Sequence, residues 1–185
     1  GIGQDRGFHG SSAFNGRGVQ ITRRSYLDKW DKARPSFSVF EAILKKSELA
    51  LIFGGNYFAD ILPLSTHWIV WDKLNTMPTF GDCELIWTNS NRKSVKKYIC
   101  EYNGLIGKEA ERFHPTQKPV KLLTALLSDY STGGQLILDP YLGSGSTLVA
   151  CQERGRRGIG IEISEAYCEI AVKRLRQQIL PGIHK

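Results

Sequence analysis

Apolar residues are scattered without a period over residues 1–35, and from Phe37 onward they fall into short runs and helical stripes. The opening stretch is rich in Gly, Ser, Asn and Arg, which predicts a long basic loop region with one short turn around Tyr26–Trp30. Ser38 then stands where it can cap a helix over Val39–Lys46, with Phe40, Ile43 and Leu44 on one face. Leu49–Phe53 is an uninterrupted apolar run closed by Gly54-Gly55, the pattern of a buried strand and a turn. A short helix is expected over Tyr57–Leu62, stopped by Pro63. His67–Trp71 and Glu84–Thr88 are β-branched and aromatic and read as strands, joined by a connection containing Pro78 and Gly81. Residues 89–113 are polar and basic and read as a small surface insertion, a candidate target-recognition element.

The C-terminal part carries the clearest pattern. Pro119 suits the first position of a helix in which Val120, Leu123, Leu127 and Tyr130 recur at helical spacing, ended by Gly133-Gly134. A strand follows over 135–139, then a helix to Arg154 capped by Ser146 or Thr147 and stopped by Gly155. Next come a strand over 158–163 and a last helix capped by Ser164. That helix runs to about Leu180, with Tyr167, Ile170, Ala171, Leu175 and Ile179 inward. Strands alternating with helices predict an α/β fold in which this part is parallel sheet with crossover helices. Ligands of such sheets gather beyond the C-terminal strand ends, where Asp139 and Glu162 both fall.

Between those two acids lies Asp139-Pro140-Tyr141-Leu142-Gly143-Ser144-Gly145-Ser146-Thr147. Two glycines before a helix allow a bare backbone turn to approach a ligand. No Lys follows the second glycine, so this is not a phosphate-binding Walker loop, and Leu148 occupies the place of the third glycine of a dinucleotide fingerprint. A carboxylate at 139 would repel phosphate, whereas it can order water or an ammonium group. A carboxylate at 162 can accept hydrogen bonds from ribose hydroxyls. An adenosine end and an amino-acid end in one molecule match both acids, and S-adenosylmethionine is such a molecule. His114-Pro115-Thr116-Gln117-Lys118-Pro119 is a second corner of interest. Its hydroxyl, amide and ammonium groups suit a carboxylate, while His114 itself reads equally as a catalytic residue or as a surface residue in a turn.

Composition adds limits. The 185 residues suffice for a single domain with its own core. A net charge of +7 makes an acidic partner plausible. Cys83, Cys100, Cys151 and Cys168 are separated by 17, 51 and 17 residues, which is not zinc-ligand spacing, so reduced thiols and no metal are expected. The first residues lack an apolar signal core, and no apolar run approaches the roughly 20 residues that cross a bilayer; a cytoplasmic protein is expected.

Asp-Pro-Tyr-Leu-Gly-Ser-Gly-Ser preceded by His-Pro-Thr-Gln-Lys-Pro resembles the permuted (β-class) DNA amino-methyltransferases, across 114–180 in order and spacing. Phe53–Phe58 and Trp68–Lys73 resemble the phage-borne branch of that family. The resemblance implies a Rossmann-like sheet with helices on both faces. It implies restriction–modification or phage DNA methylation, with transfer from S-adenosylmethionine to the N6 of adenine or the N4 of cytosine. It places Asp139, Pro140, Tyr141, Gly143, Gly145 and Thr147 around the methionine end of the pocket, Glu162 on the ribose, and Thr116 and Lys118 on the opposite wall. The family's catalytic Asp/Asn/Ser-Pro-Pro-aromatic tetrad does not occur in this sequence, so no catalytic residue is assigned. The resemblance would set the tetrad just before Gly1, and it implies that two N-terminal strands of the sheet are missing. The expected partner is double-stranded DNA, contacted by Arg17, Arg23 and Arg24 of the opening loop and by Arg92, Lys93, Lys96 and Lys97. A homodimer remains open. The alternatives are a non-catalytic DNA-binding remnant of the same family and a methyltransferase of RNA or a small molecule.

Overall fold

The computed structural model describes residues 34–75, 81–102, 113–114 and 116–178. The elements run β1 (Leu51–Phe53), β2 (Trp68–Asp72), β3 (Cys83–Thr88), β4 (Val95–Ile99), α2 (Val120–Tyr130), β5 (Leu136–Asp139), α3 (Ser146–Glu153), β6 (Arg157–Gly160) and α4 (Glu165–Gln178), preceded by α1 (Phe37–Lys46). A 3₁₀ turn over Gly55–Phe58 replaces the longer helix expected at Tyr57–Leu62. The opening loop with its Tyr26–Trp30 turn, and the chain beyond Gln178, lie outside the described residues.

The strands form two sheets. The first has the order β1-β3-β2-β4, with β3 antiparallel to both neighbours and β4 parallel to β2. Its two faces bury separate clusters. Ile69, Trp71 and Ile86 pack with Leu122 and Leu126 of α2, and Trp87 packs with Phe40 of α1, Ala50 and Leu62. Both indole nitrogens find acceptors, Trp71 on the Cys100 carbonyl (2.9 Å) and Trp87 on the Pro63 carbonyl (2.9 Å), so these large rings are buried without an orphaned donor.

β4 lies in the stretch expected to be a small surface insertion, where no strand is expected. Its pattern hides the strand because it is an edge: Val95, Lys96, Lys97 and Ile99 are exposed, and Tyr98 alone turns inward. An edge strand covered on one side needs no alternating apolar run, and lysines there oppose pairing with another chain. The Tyr98 hydroxyl donates to Asp129 of α2, which pins β4 to the helix.

The second sheet pairs β5 and β6 in parallel, Asp139 opposite Gly160, with α3 as the crossover. α3 approaches closely at Gly158, where a Cβ would stand 2.4 Å from a Leu148 methyl carbon and 3.5 Å from the Cys151 sulfur. The other face leaves Leu136, Leu138 and Ile159 about half exposed. α2 connects the sheets. Its leucines pack on the first, while its Thr124 hydroxyl is 3.1 Å from Glu153 of α3 and its last carbonyls receive the Arg156 guanidinium.

Helix starts differ from the expected caps. α1 begins one residue after Ser36, and Ser38 bonds the Ser36 hydroxyl (2.8 Å) instead of a helix amide. Pro119 is the residue before α2. α3 starts at Ser146 behind Gly145, which is left-handed at φ 87°, so neither Ser146 nor Thr147 acts as an N-cap. Gly155, at φ 64°, follows α3 as a stop.

Candidate cofactor site

Parallel pairing of β5 and β6 puts their C-terminal ends side by side, and the glycine turn runs between them. The ladder continues past the strands through the Ile161 amide to the Asp139 carbonyl (2.8 Å) and the Leu142 amide to the Ile161 carbonyl (2.9 Å). Glu162 therefore emerges at the turn. One carboxylate oxygen accepts the Gly143 amide at 2.7 Å and the other accepts the Ser164 amide at 2.9 Å. Asp139 accepts the Tyr141 amide at 3.0 Å, which closes the first bend of the turn. The two acids and the glycine turn thus share one edge. Each bonded oxygen keeps a lone pair for an incoming hydroxyl or ammonium.

Gly143 (φ 54°) and Gly145 (φ 87°) hold the turn in left-handed backbone that a side chain would strain. They face different neighbours. A Cβ on Gly145 would be 2.8 Å from the Ala171 Cβ, so this glycine lets α4 close onto the turn. A Cβ on Gly143 would be 3.4 Å from the His114 ring. Tyr141 is exposed, Pro140 is partly covered, and Thr147 is the partly buried second residue of α3. Ile161 and Ile163 are exposed beside Glu162, the latter at 95%. An acceptor-rich turn flanked by open apolar side chains fits a ligand with a hydroxyl-bearing sugar, an ammonium group and a flat apolar ring.

The corner at 113–119 packs directly under this turn. His114 is buried, its ring edge-on to Tyr167 of α4 at 4.4 Å between centroids, and its Nδ1 lies 3.2 Å from the Thr116 amide and 3.1 Å from the Thr116 hydroxyl. The surface-residue alternative for His114 is thereby corrected: the ring is held inside the corner. Gln117 is buried, and its amide oxygen accepts both the Ser144 hydroxyl (2.9 Å) and the Phe113 amide (3.0 Å). Arg174 of α4 donates to the Ser144 carbonyl (2.7 Å) and reaches the hydroxyls of Ser144 (3.1 Å) and Ser146 (3.2 Å). Thr116 is exposed. Lys118 leaves the corner toward the first sheet, where it meets Glu84 at 3.1 Å and lies over the Phe53 ring at 5.3 Å.

The basic residues are placed unequally. Arg17, Arg23 and Arg24 lie outside the described residues. Arg92, Lys93, Lys96 and Lys97 are exposed along the approach to β4 and on it. Arg92 stacks over Tyr130 at 5.0 Å, and Lys97 pairs with Asp72 at 3.4 Å; of these four residues, Lys93 and Lys96 are the two not held by an ion pair or a ring. Asp72 is held below its ordinary carboxylate value, chiefly by the Leu74 amide; burial opposes this, and Lys97 adds to the lowering.

Three contributors to the site carry no assigned role in the sequence, Ser144, Arg174 and Glu84, and Tyr167 reads there only as an inward residue of the last helix. Arg174 left a trace, since it falls within the inward stripe of α4 between Ile170–Ala171 and Leu175. Ser144 and Glu84 left none, because their roles depend on partners 27 and 34 positions away in sequence. The cysteines are all free. Cys100 and Cys151 are buried, and burial, aided by the nearby Asp139 charge and opposed by Arg156, pushes the Cys151 thiol up to about 11. Among the described residues there is no group of three or more side chains able to hold a metal ion, and no helix long and apolar enough to cross a membrane.

Comparison with known proteins adds independent information. The family model described as DNA methylase, covering N6 and N4 enzymes, matches residues 20–173. The type II methyltransferase M2.DpnII of Streptococcus pneumoniae is 33% identical over 135 residues, covering 60% of this chain and 50% of that protein. M2.LlaDCHI of Lactococcus lactis subsp. cremoris is 31% identical over 140 residues, covering 62% of this chain and 52% of that protein. The chain spans about half the length of these curated relatives. Among solved structures, the complex of M1.HpyAVI with SAM superposes with a TM-score of 0.55 at 27% identity, over 69% of this chain and 74% of that one.

Proposed function

The chain belongs to the N6/N4 DNA methylase family, whose model spans residues 20–173, and from that premise we propose that it binds S-adenosylmethionine at the β5–β6 edge and serves methyl transfer to an exocyclic amino group of duplex DNA, adenine N6 or cytosine N4. The observation that carries this reading is the Glu162 carboxylate at 2.7 Å from the Gly143 amide, with Asp139 at the end of the neighbouring strand. Bound there, the cofactor supplies the electrophilic methyl group. Glu162 would accept the ribose hydroxyls, and Asp139 would face the ammonium of the amino-acid end. The Gly143–Gly145 turn, with Pro140, Tyr141 and Thr147, would shape the wall between them. Thr116 and Lys118 would meet the cofactor carboxylate from the opposite side. These residues orient the donor; none of them is assigned to hold the target base, which such chemistry takes out of the stack.

Lys93, Lys96 and the neighbouring Arg92 and Lys97 would neutralise phosphates of the duplex, as would Arg17, Arg23 and Arg24. Each phosphate contact lowers the slope of log K against log salt by about 0.9. In this reading the protein acts in the cytoplasm, on DNA, as a monomer or homodimer.

The test is labelled methyl transfer from S-adenosylmethionine to unmethylated duplex DNA by the full-length gene product, followed by nucleoside analysis. N6-methyladenine or N4-methylcytosine is the expected product. A protein that binds the cofactor but labels RNA or a metabolite, and never DNA, would overturn the substrate. In parallel, replacing Lys93 and Lys96 with alanine should reduce the salt slope of DNA binding by about 2 if both touch phosphate.

A further inference from the structure

Lys118 extends from the 114–119 corner to the first sheet, and a carboxylate holds it there. Glu84, on β3, is a two-sided tether: one oxygen lies 3.1 Å from the Lys118 ammonium and the other 3.2 Å from the Lys73 ammonium. All three side chains are largely covered, with 27%, 17% and 22% of Lys118, Glu84 and Lys73 exposed. Each ammonium also lies over an aromatic face, Lys118 on Phe53 at 5.3 Å and Lys73 on Trp71 at 4.9 Å. The trio carries a net single positive charge, so it still attracts an anion. Lys118 spends one of its three donors on Glu84 and keeps others for a ligand.

We propose that Glu84 is a positioning residue that fixes the Lys118 ammonium for the carboxylate of the cofactor's amino-acid end. This rests on the cofactor reading above and extends it to a residue on the other sheet. A free lysine loses much rotamer freedom when it grips a ligand, and a lysine already tethered has lost it beforehand. Lys73 supports the device by neutralising the half of Glu84 that would otherwise repel the incoming carboxylate. Two effects of opposite sign are therefore in play. Removing Glu84 lifts a nearby negative charge, and it also frees two covered ammonium groups that repel each other and swing toward water. With Lys73 already screening the carboxylate, loss of the tether is the larger effect.

The experiment is calorimetric titration of this chain with S-adenosylhomocysteine and with 5′-methylthioadenosine, which keeps the adenosine and thioether but ends before the amino-acid carboxylate. Glu84→Ala should raise Kd for S-adenosylhomocysteine about three- to tenfold, the entropy of fixing one long side chain, and leave methylthioadenosine unchanged. Glu84→Gln, whose amide oxygen can still accept from Lys118, should stay within about twofold of the parent. Equal losses on both ligands would mean a damaged fold and would overturn the positioning role. So would tighter homocysteine-ligand binding in both variants, which would mark Glu84 as a simple repulsive charge, or no change in either. A parent chain that binds neither ligand would instead remove the cofactor reading itself, and the Glu84 role with it.

Discussion

The Ser144 hydroxyl donates to the Gln117 amide oxygen at 2.9 Å across 27 residues of sequence, and both side chains are buried. Gln117 and Lys118 are consecutive, yet the first bonds the glycine turn of the second sheet and the second is paired with Glu84 of the first sheet. The corner before α2 is thus the joint between the two sheets at the glycine turn. Replacing Gln117 with Met keeps the length and removes the acceptor. It would strand the Ser144 hydroxyl and the Phe113 amide together, at a cost of about 1–3 kcal/mol for each group that finds no water. Thermal melting should show a clear loss of stability; a Gln117→Met variant that melts with the parent would mean the bond contributes nothing.

The Gly145–Ala171 contact makes a second expectation. Gly145→Ala meets two penalties, left-handed backbone at φ 87° and a Cβ 2.8 Å from the Ala171 Cβ. The first costs about 1–2 kcal/mol and the second about 1–3 kcal/mol. Only the second can be relieved by a neighbour. The pair Gly145→Ala with Ala171→Gly should therefore recover part of the steric cost, since the Cα of residue 171 still stands 3.1 Å from the new Cβ, while Ala171→Gly alone loses about 1 kcal/mol of helix propensity. A double-mutant cycle on denaturant midpoints reads the coupling directly; strict additivity would show that α4 yields without cost.

How much of this was legible in the sequence follows from which interactions are local. The β5–α3–β6 unit is legible because its signals lie within it: an apolar run, glycines at fixed offsets, and an acid at the end of β5 and another two residues past β6. The start of α3 was misplaced by one or two residues because Gly145 supplies the turn by its backbone, which outweighed the usual preference for a Ser or Thr cap. β4 was missed because an exposed edge strand rich in lysine has the composition of a loop. His114 reads two ways in the sequence because its burial against Tyr167 and the glycine turn is a tertiary fact. Glu84 carries no signal for the same reason, since its partners come from 34 residues downstream and from the residue just past β2.

Glu162 provides a functional prediction distinct from Glu84. Because it is assigned to the ribose, Glu162→Gln should weaken S-adenosylhomocysteine and methylthioadenosine alike, by about ten- to a hundredfold for a charge-assisted bond to hydroxyls. Glutamine has one oxygen and can keep the Gly143 amide, while the Ser164 amide loses its acceptor, so the turn should survive with the stability of the ligand-free chain lowered by about 1–3 kcal/mol. Parallel titrations decide it: a variant that loses only the ligand with the amino-acid tail would move Glu162 to the other end of the pocket.

Alkaline pH should weaken the fold through Cys151. Its thiol is 2% exposed, and burial raises it from about 9 to about 11. Below pH 9 both folded and unfolded chains keep the proton, and the preference for a neutral thiol is fully present. As pH rises from 9 to 11 the unfolded chain releases the proton first, so the unfolded state is favoured progressively and stability falls, by at most about 3 kcal/mol. Tyr98 and Tyr130 are also raised, chiefly by burial, and act with the same sign from about pH 10 upward. The difference between the parent and Cys151→Ala, both kept reduced, isolates the thiol. The variant should start lower by a constant cavity cost and decline less between pH 9 and 10.5. In the same range Cys83, which is exposed, should take up an alkylating reagent while Cys151 stays unmodified until the protein unfolds. Parallel decline of the two melting curves, or early labelling of Cys151, would show that the α3 face opens to water in the native state.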